Sequence, residues 1–376
     1  MALDAVTRAV LARDDVTRYL RDLQGTSEAD GRRRIEAYVD ELRTTQRYKF
    51  YRALQHPLYP ILRKVRRHTE GLEHVRAATG SGRVVYVSNH KSHLDYLVEL
   101  LDLDDHGIRP PLIAAGINLF GGALGLLHRH VTGAIPIRRN SKDPLYLVTL
   151  RAYVAEMLKT QDLLYYAEGG RSYRGELKAP KTGLLQAALA ADRSKVSIVP
   201  MAVSYDLVLE VRMLLRAATS RRSRPFAQEV AEMVRHAVGY RSRAFITFRE
   251  PIPLTRFDPE SRRSVITLAR QVQREVGLAY KVLPTALVAT AVRAGGATRA
   301  ELVDRVDALL AVLAGQGANL GVKTGRAAVE DGVRRLAERG VLVEAPPRIR
   351  VRDRHVVRYY ARTIEHLLPR TARTPR

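Results

Sequence analysis

His90 and Asp95 are the residues whose types and spacing most directly suggest chemistry in this 376-residue chain. An apolar, β-branched run, Val84-Val85-Tyr86-Val87, ends in the polar knot Ser88-Asn89-His90-Lys91-Ser92-His93-Leu94-Asp95-Tyr96, and a second apolar run starts at Leu97. A strand entering a helix through a short turn is the simplest reading, and such turns commonly carry active sites in α/β folds. An imidazole beside a carboxylate can take a proton from a hydroxyl while the carboxylate holds the ring in one tautomer. On a regular helix a five-residue spacing puts the two on different faces, so they can meet only if His90 precedes the helix. Ser92-His93-Leu94-Asp95 fits a variant capping box with Ser92 as N-cap and Asp95 at N3. Asp95 therefore has two readings, a helix cap and the partner of a base. His93 is a third candidate, as metal ligand or polar surface residue. One His-rich turn without cysteine or regular ligand spacing makes a poor metal site, and none is expected.

Three more polar knots each close an apolar run: Gly133-Ala134-Ile135-Pro136-Ile137-Arg138-Arg139, then Tyr166-Ala167-Glu168-Gly169-Gly170-Arg171-Ser172 with Pro180-Lys181-Thr182-Gly183, then Ile198-Val199-Pro200-Met201. In a parallel sheet all four would gather at one edge, and the His-Asp pair would face Arg138, Arg139, Arg171 and Lys181. Arginine binds phosphate through a planar fork of donors and lysine through a point charge. Gly169, Gly170 and Gly183 would let backbone N–H groups approach an anion, helped by the helix expected from Thr182. Together these point to chemistry on a hydroxyl of a small phosphorylated substrate. The alternative for any single knot is ordinary turn chemistry with exposed arginines.

The elements that must position these knots alternate. Residues 83–88, 113–116, 131–137, 162–167, 196–205 and 245–248 read as strands, and 145–158 and 182–191 as helices. This predicts an α/β fold with a central mixed or largely parallel sheet flanked by helices over residues 71–258. Residues 1–70 read as a helical, basic N-terminal region, with one apolar-sided helix near 34–42 and a basic cluster at 63–68. Residues 259–376 read as a mainly helical C-terminal domain. Its helices are expected at 264–280, 297–313, 326–339 and 356–368, with a hairpin of 341–343 and 349–351 around Pro346-Pro347.

Composition bounds the partners. There is no cysteine, which removes disulfides and thiolate chemistry. The formal net charge of +24 calls for anionic partners: nucleic acid, an anionic membrane surface, or phosphorylated and acidic substrates. Residues 1–23 lack the uninterrupted apolar core of a signal peptide. Residues 110–127 carry no charge but hold two prolines and four glycines, and read as a buried or interfacial segment short of a membrane span.

In order, His-x4-Asp, Gly-x-Ile-x-Ile-Arg-Arg, Glu-Gly-Gly-Arg-Ser with Pro-Lys-x-Gly, and Val-Pro resemble the glycerolipid acyltransferases, and most closely their glycerol-3-phosphate acyltransferase branch. Ala114-Ala115-Gly116-Ile117-Asn118-Leu119, Arg358-Tyr359-Tyr360 and Ile364-Glu365-His366 also look like that branch. The resemblance covers roughly residues 34–368 and is densest over 83–210. It implies transfer of a fatty acyl group from an acyl thioester to the sn-1 hydroxyl of glycerol 3-phosphate, giving lysophosphatidate. His90 would be the general base and Asp95 its orienting partner. Arg138, Arg139 and Lys181 would hold the acceptor phosphate. Glu168, Gly169, Gly170, Arg171 and Ser172 would shape the acceptor site, and Pro200 would sit near the acyl site. Donors near Gly169 or the helix start would stabilise the oxyanion. No cofactor or metal is implied beyond acyl-CoA or acyl carrier protein as co-substrate. The implied place is the cytoplasmic face of an anionic membrane, as a peripheral protein.

Two departures bear on the acceptor and the C-terminus. The branch commonly has Arg-Ser-Arg-Thr-Gly-Lys where this chain has Arg171-Ser172-Tyr173-Arg174-Gly175-Glu176, so Tyr173 removes an expected cation. Large bacterial members continue well past the Tyr-Tyr region, so a reduced C-terminal domain or a truncated chain is expected. Lysophosphatidate or dihydroxyacetone phosphate is the alternative acceptor. The rival of another class is a basic nucleic-acid-binding protein, because the helices at 297–339 and the basic hairpin at 348–354 can make a winged-helix-like module. A basic stripe alone is weak evidence for that partner.

Overall fold

The computed structural model describes residues 3–25, 27–47, 65–117, 120, 132–219, 242–292 and 296–369. The chain begins with three helices, α1 (Ala5–Leu11), α2 (Asp14–Arg21) and α3 (Glu28–Leu42). Then come β1 (Val65–Glu70), α4 (Leu72–Ser81), β2 (Arg83–Ser88), α5 (Asp95–Asp105), β3 (Leu112–Gly116), β4 (Ala134–Ile137) and α6 (Pro144–Met157). Next are β5 (Leu163–Tyr166), α7 (Gly183–Leu189), β6 (Val196–Tyr205), α8 (Val211–Thr219), β7 (Ser242–Phe248), β8 (Ile252–Pro253) and α9 (Arg262–Ala279). The C-terminal part holds β9 (Lys281–Val282), α10 (Pro284–Ala291), β10 (Ala297–Thr298), α11 (Arg299–Gly315), β11 (Asn319–Leu320), α12 (Gly325–Glu338), β12 (Leu342–Ala345), β13 (Arg348–Val351) and α13 (Arg354–Arg362).

The main sheet has the order β1-β7-β6-β2-β5-β3-β4, with β8 beside β6. From β6 to β4 every pair is parallel, whereas β7 runs antiparallel to β6. The mixed, largely parallel α/β sheet expected from the sequence is therefore present. Its central strands β2 and β6 are buried on both faces, as parallel sheets require. Val84 and Tyr86 of β2 pack into a core shared with α4, α5 and the C-terminal helices, while Val85 and Val87 pack into one shared with α1, α3, α6, α7 and α9. Local chemistry sets the helix starts. Asp143 caps α6 through the Leu145 and Tyr146 N–H groups, Pro144 follows it, and Ser261 caps α9.

The N-terminal region differs from the helical reading. Residues 65–70 form β1, an edge strand parallel to β7, although the cluster Val65-Arg66-Arg67-His68 reads as helical in sequence. A basic edge strand hides its period because only one face meets the core: Val65 is buried and Arg66 exposed. Residues 48–64 of the basic N-terminal region lie outside the described residues, as do 118–119 and 121–127 of the uncharged stretch; Leu112–Gly116 of that stretch is β3. Among the described residues no helix is long and apolar enough to cross a membrane.

Helix α10, β10, helices α11 and α12 and the β12-β13 hairpin make a winged-helix-like arrangement, with the three-stranded sheet β10-β13-β12. Thr298 and Glu301 form a full capping box at α11.

One side chain lets the turn that carries His90 leave the sheet. Strand β2 stops at Ser88, while β6 continues to Tyr205. The buried amide of Asn89 continues the ladder: its Nδ2 donates to the Val203 carbonyl (3.0 Å) and its Oδ1 accepts the Val203 N–H (2.8 Å). Asn89→Ala leaves both backbone groups unpaired in a dry interior. It should lower the unfolding free energy by about 2–4 kcal/mol, read from the urea midpoint at unchanged m-value.

Candidate active site

His90 stands on the turn between β2 and α5, at the edge where the parallel strands end. Its Nδ1 lies 2.9 Å from Asp95 Oδ2, and Asp95 is fully buried. The same oxygen accepts the N–H groups of Lys91 (2.6 Å) and Ser92 (2.9 Å), and Oδ1 accepts the Tyr205 hydroxyl (2.8 Å). Asp95 thus both orients the base and closes the turn, so its two sequence readings are one geometry. The capping box is only half formed. Ser92 Oγ accepts the Leu94 N–H (3.0 Å) and donates to Glu210 Oε1 (2.8 Å), and Glu210 also takes the His93 N–H (2.6 Å). With Nδ1–H directed to Asp95, His90 Nε2 carries a lone pair, and no partner meets it among the described residues. Burial holds the imidazole below its ordinary pKa, against the hydrogen bond and charge of Asp95. The ring stacks on Tyr166 at 4.0 Å, 8° from parallel.

Tyr166 apart, the residues that support this pair were not singled out by the sequence. Tyr205 and Glu210 come from β6 and the turn after it. Glu99, one helical turn beyond Asp95, takes hydrogen bonds from Ser88 and Tyr166. The single acid Glu99 inside the apolar stretch Leu97–Leu101, four residues after Asp95, was the available signal for Glu99.

The cations divide. Arg139 lies beside Gly170, its Nη1 3.9 Å from where a Cβ would stand, and among the described residues no carboxylate pairs with it. The Lys181 side chain lies against Gly169, whose φ of 68° and 3.1 Å clearance from Lys181 leave no room for a Cβ. Arg171 and Lys178 flank the Tyr173 ring at 5.5 and 5.4 Å, so Tyr173 gathers two cations where it was expected to remove one. Arg171 Nη1 also contacts His93 Nε2. Arg138, expected beside the phosphate, is turned away. Its guanidinium pairs with Glu41, with Nε 2.7 Å from Oε1, and packs over Tyr38 and Tyr146.

Glu168 is 6% exposed and neither carboxylate oxygen has a hydrogen-bond partner among the described residues. Burial raises it to about 7, against the nearby positive charge of Lys91 and Lys178. Ser172 shapes the loop without facing the site: its N–H donates to the His90 carbonyl (2.8 Å) and its hydroxyl to the Glu176 carbonyl (2.7 Å). Pro200 is not at the edge. It is buried within β6, level with Val87, where β6 exchanges β8 for β7 as its neighbour and the Pro200 carbonyl accepts the Arg249 N–H (2.9 Å). A proline fits there because no strand needs its missing N–H. The N–H groups expected for an oxyanion are mostly engaged: Lys91 and Ser92 by Asp95, His93 by Glu210, and Gly169 by the Tyr166 carbonyl (3.0 Å). The Gly170 N–H donates to no group among the described residues.

The loop carrying these groups is clamped from below. Buried Lys91 sends its Nζ to the Gly175 carbonyl (2.8 Å) and sits 5.0 Å from the Tyr280 ring centroid. Gly175, at φ 91°, lies so close to the Tyr359 carbonyl of α13 that a Cβ would come within 2.1 Å. Arg362 of α13 lies 3.6 Å from Glu176. Helix α13 thus reaches the site through the loop.

The acyltransferase family profile matches residues 66–204, which hold every knot above. Glycerol-3-phosphate acyltransferase of Aeromonas hydrophila is 34% identical over 245 residues, 62% of this chain and 30% of that protein. Its namesake in Actinobacillus succinogenes is 30% identical over 378 residues, 90% of this chain and 46% of that protein. In Shewanella pealeana the figures are 29% over 343 residues, 82% and 42%. The chain therefore spans less than half the length of these relatives.

The imidazole of His90 should titrate below the 6.5 of an exposed ring. Asp95→Asn should lower the midpoint further, because the interaction favouring the imidazolium is lost. Ring ¹H–¹⁵N spectra across the pH range read both values, and a wild-type midpoint above 6.5 would show that Asp95 outweighs burial.

Proposed function

Because this chain belongs to the glycerolipid acyltransferase family that carries the His-x4-Asp turn, we propose that it moves a fatty acyl group from a thioester to the sn-1 hydroxyl of glycerol 3-phosphate, giving lysophosphatidate. The observation that carries this reading is the His90–Asp95 pair at a strand edge, with no partner on His90 Nε2 among the described residues and the positive charge of Arg171 nearby. Nε2 takes the proton of the acceptor hydroxyl, and Asp95 balances the imidazolium. The alkoxide attacks the thioester carbonyl. The tetrahedral oxyanion meets the free Gly170 N–H and nearby cationic side chains. Its collapse breaks the C–S bond, and the leaving thiolate recovers the proton from His90. Arg139 and Lys181 bind the acceptor phosphate, with Arg171 beside them. Arg138 is left out because Glu41 holds it. Glu168 accepts an acceptor hydroxyl with its unpartnered carboxyl.

The donor is acyl-CoA or acyl carrier protein; both are anionic and suit a chain of net charge +24. No further cofactor is required. The same charge favours peripheral binding to the anionic cytoplasmic face of a membrane. The nucleic-acid reading has one observation behind it, the winged-helix-like module. Yet the exposed face of α12 carries Arg326, Glu330, Arg334 and Glu338, and Arg334 pairs with Asp331 and Glu338. Arg335 and Asp331 of the same helix join Asp206 and Arg243 of the sheet domain. A near-neutral helix partly held against the sheet domain is a poor match for a polyanion.

In an acyl-transfer assay, His90→Ala should lose about 100- to 10,000-fold in kcat; wild-type-like turnover would end the base assignment. Across an acceptor panel, glycerol 3-phosphate should exceed dihydroxyacetone phosphate and lysophosphatidate in kcat/KM. Arg139→Ala should raise the acceptor KM by about 10- to 100-fold, as expected for a lost charge-assisted hydrogen bond. Arg138→Ala should not raise it. Acceptor affinity should also fall with added salt.

A further inference from the structure

Helix α5 buries three carboxyls, Asp95, Glu99 and Asp102, and the first two stand one turn apart, fully shielded from solvent. Their surroundings are unequal. Asp95 has four donors, from His90, Lys91, Ser92 and Tyr205, two of them backbone N–H groups. Glu99 has two hydroxyls: Ser88 Oγ at 2.5 Å from Oε1 and Tyr166 Oη at 2.9 Å from Oε2. Among the described residues no lysine, arginine or histidine pairs with Glu99. Its nearest charged neighbours on α5 are acids, Asp95 and Asp102. Asp102 accepts the Thr69 hydroxyl (2.7 Å) and lies 3.9 Å from His106 Nδ1, while Arg67 of β1 pairs with Asp105. Two carboxylates in one dry layer repel, and the one with fewer donors gives up its charge.

We propose that Glu99 is a neutral carboxylic acid in the folded protein and a positioning residue for His90, acting through the Tyr166 hydroxyl to hold the Tyr166 ring flat against the imidazole. A neutral carboxyl has one donor and spare acceptor capacity, enough for both hydroxyls. Burial pushes Glu99 well above the usual carboxylate range, and the negative charge of Asp95 adds to it, against the hydrogen bonds of Ser88 and Tyr166. The arrangement separates two tasks. Asp95 is the charge that stabilises the imidazolium, and the Glu99–Tyr166 pair is an uncharged support beneath the ring. A second full negative charge here would favour the imidazolium in the resting protein and withdraw the base. The positioning role rests on the acyltransferase reading of His90; the neutral state of Glu99 does not.

Infrared difference spectra of wild type minus Glu99→Gln at neutral pH test the protonation state without any assay. A protonated-carboxyl C=O stretch that disappears in the variant is expected, and its absence from the wild type would overturn the proposal. The acid limb of the kcat/KM profile, with glycerol 3-phosphate as acceptor, tests the role. Glu99→Gln replaces one neutral group by another, so kcat should stay within about threefold with the apparent pKa of His90 unmoved. A downward shift of that pKa would show that a negative charge had been removed, and would overturn the proposal. Glu99→Leu strands the Tyr166 hydroxyl and should lower kcat at unchanged acceptor KM. Glu99→Leu with Tyr166→Phe removes the same support and should lose no more kcat than Glu99→Leu alone. Additive losses in the double variant would count against positioning through this pair. If His90→Ala retained activity while the infrared band was present, the base reading would fail and the neutral acid would stand.

Discussion

The buried carboxylate of Asp95 is the interaction on which the rest of the site depends. An anion without solvent is tolerable only when its oxygens are fully hydrogen-bonded. Here its donors come from two separate places: its own turn, through His90, Lys91 and Ser92, and the overhanging end of β6, through Tyr205. Each donor fixes the piece of chain that carries it. The turn cannot open without exposing the charge, and the imidazole cannot rotate without losing its partner. Strand β6 must run past the end of β2 to bring Tyr205 into reach, and the Asn89 amide makes that overhang possible by pairing with Val203.

Around that anion the protein alternates charged and uncharged polar groups. Glu210 organises the outer half of the turn through Ser92 and His93. Lys91 points away from the anion that holds its N–H and ties down the glycine-containing loop at residue 175. Helix α13 supports the same loop from the other side, so the C-terminal module contributes to the site through backbone contact. This explains why a winged-helix-like arrangement can occur here with a near-neutral helix face. Asp331 and Arg335 serve the junction with Asp206 and Arg243, and the module acts as a buttress.

Much of the fold was legible. The β-branched runs at 83–88 and 196–205 become β2 and β6 with those bounds, and the hairpin around Pro346-Pro347 forms. Such runs are apolar on both faces, and Gly, Pro and polar knots interrupt them, so periodicity and punctuation suffice. β1 was not legible. A basic edge strand shows the core a single face, and its partner β7 lies far along the chain. The knot at 198–201 was expected at the sheet edge, whereas Pro200 lies inside the strand read over 196–205, where β6 exchanges β8 for β7 as its neighbour.

The sequence by itself determined the chemical set and its order. His90, Asp95, Glu168 and the arginine pair each follow an apolar run, and parallel pairing of those runs was enough to bring the knots to one edge. Which groups face the reaction was decided by the tertiary structure alone. Arg138 and Arg139 are adjacent and chemically identical, yet beyond the end of β4 one packs over Tyr38 and Tyr146 and the other lies beside Gly170. A glutamate 97 residues away, Glu41, waits on one side only. Likewise Asp95 and Glu99 are both acids on one helix. The turn before α5 gives Asp95 three donors and β6 a fourth, whereas Glu99 meets only the hydroxyls of Ser88 and Tyr166, and that difference decides which one carries the charge.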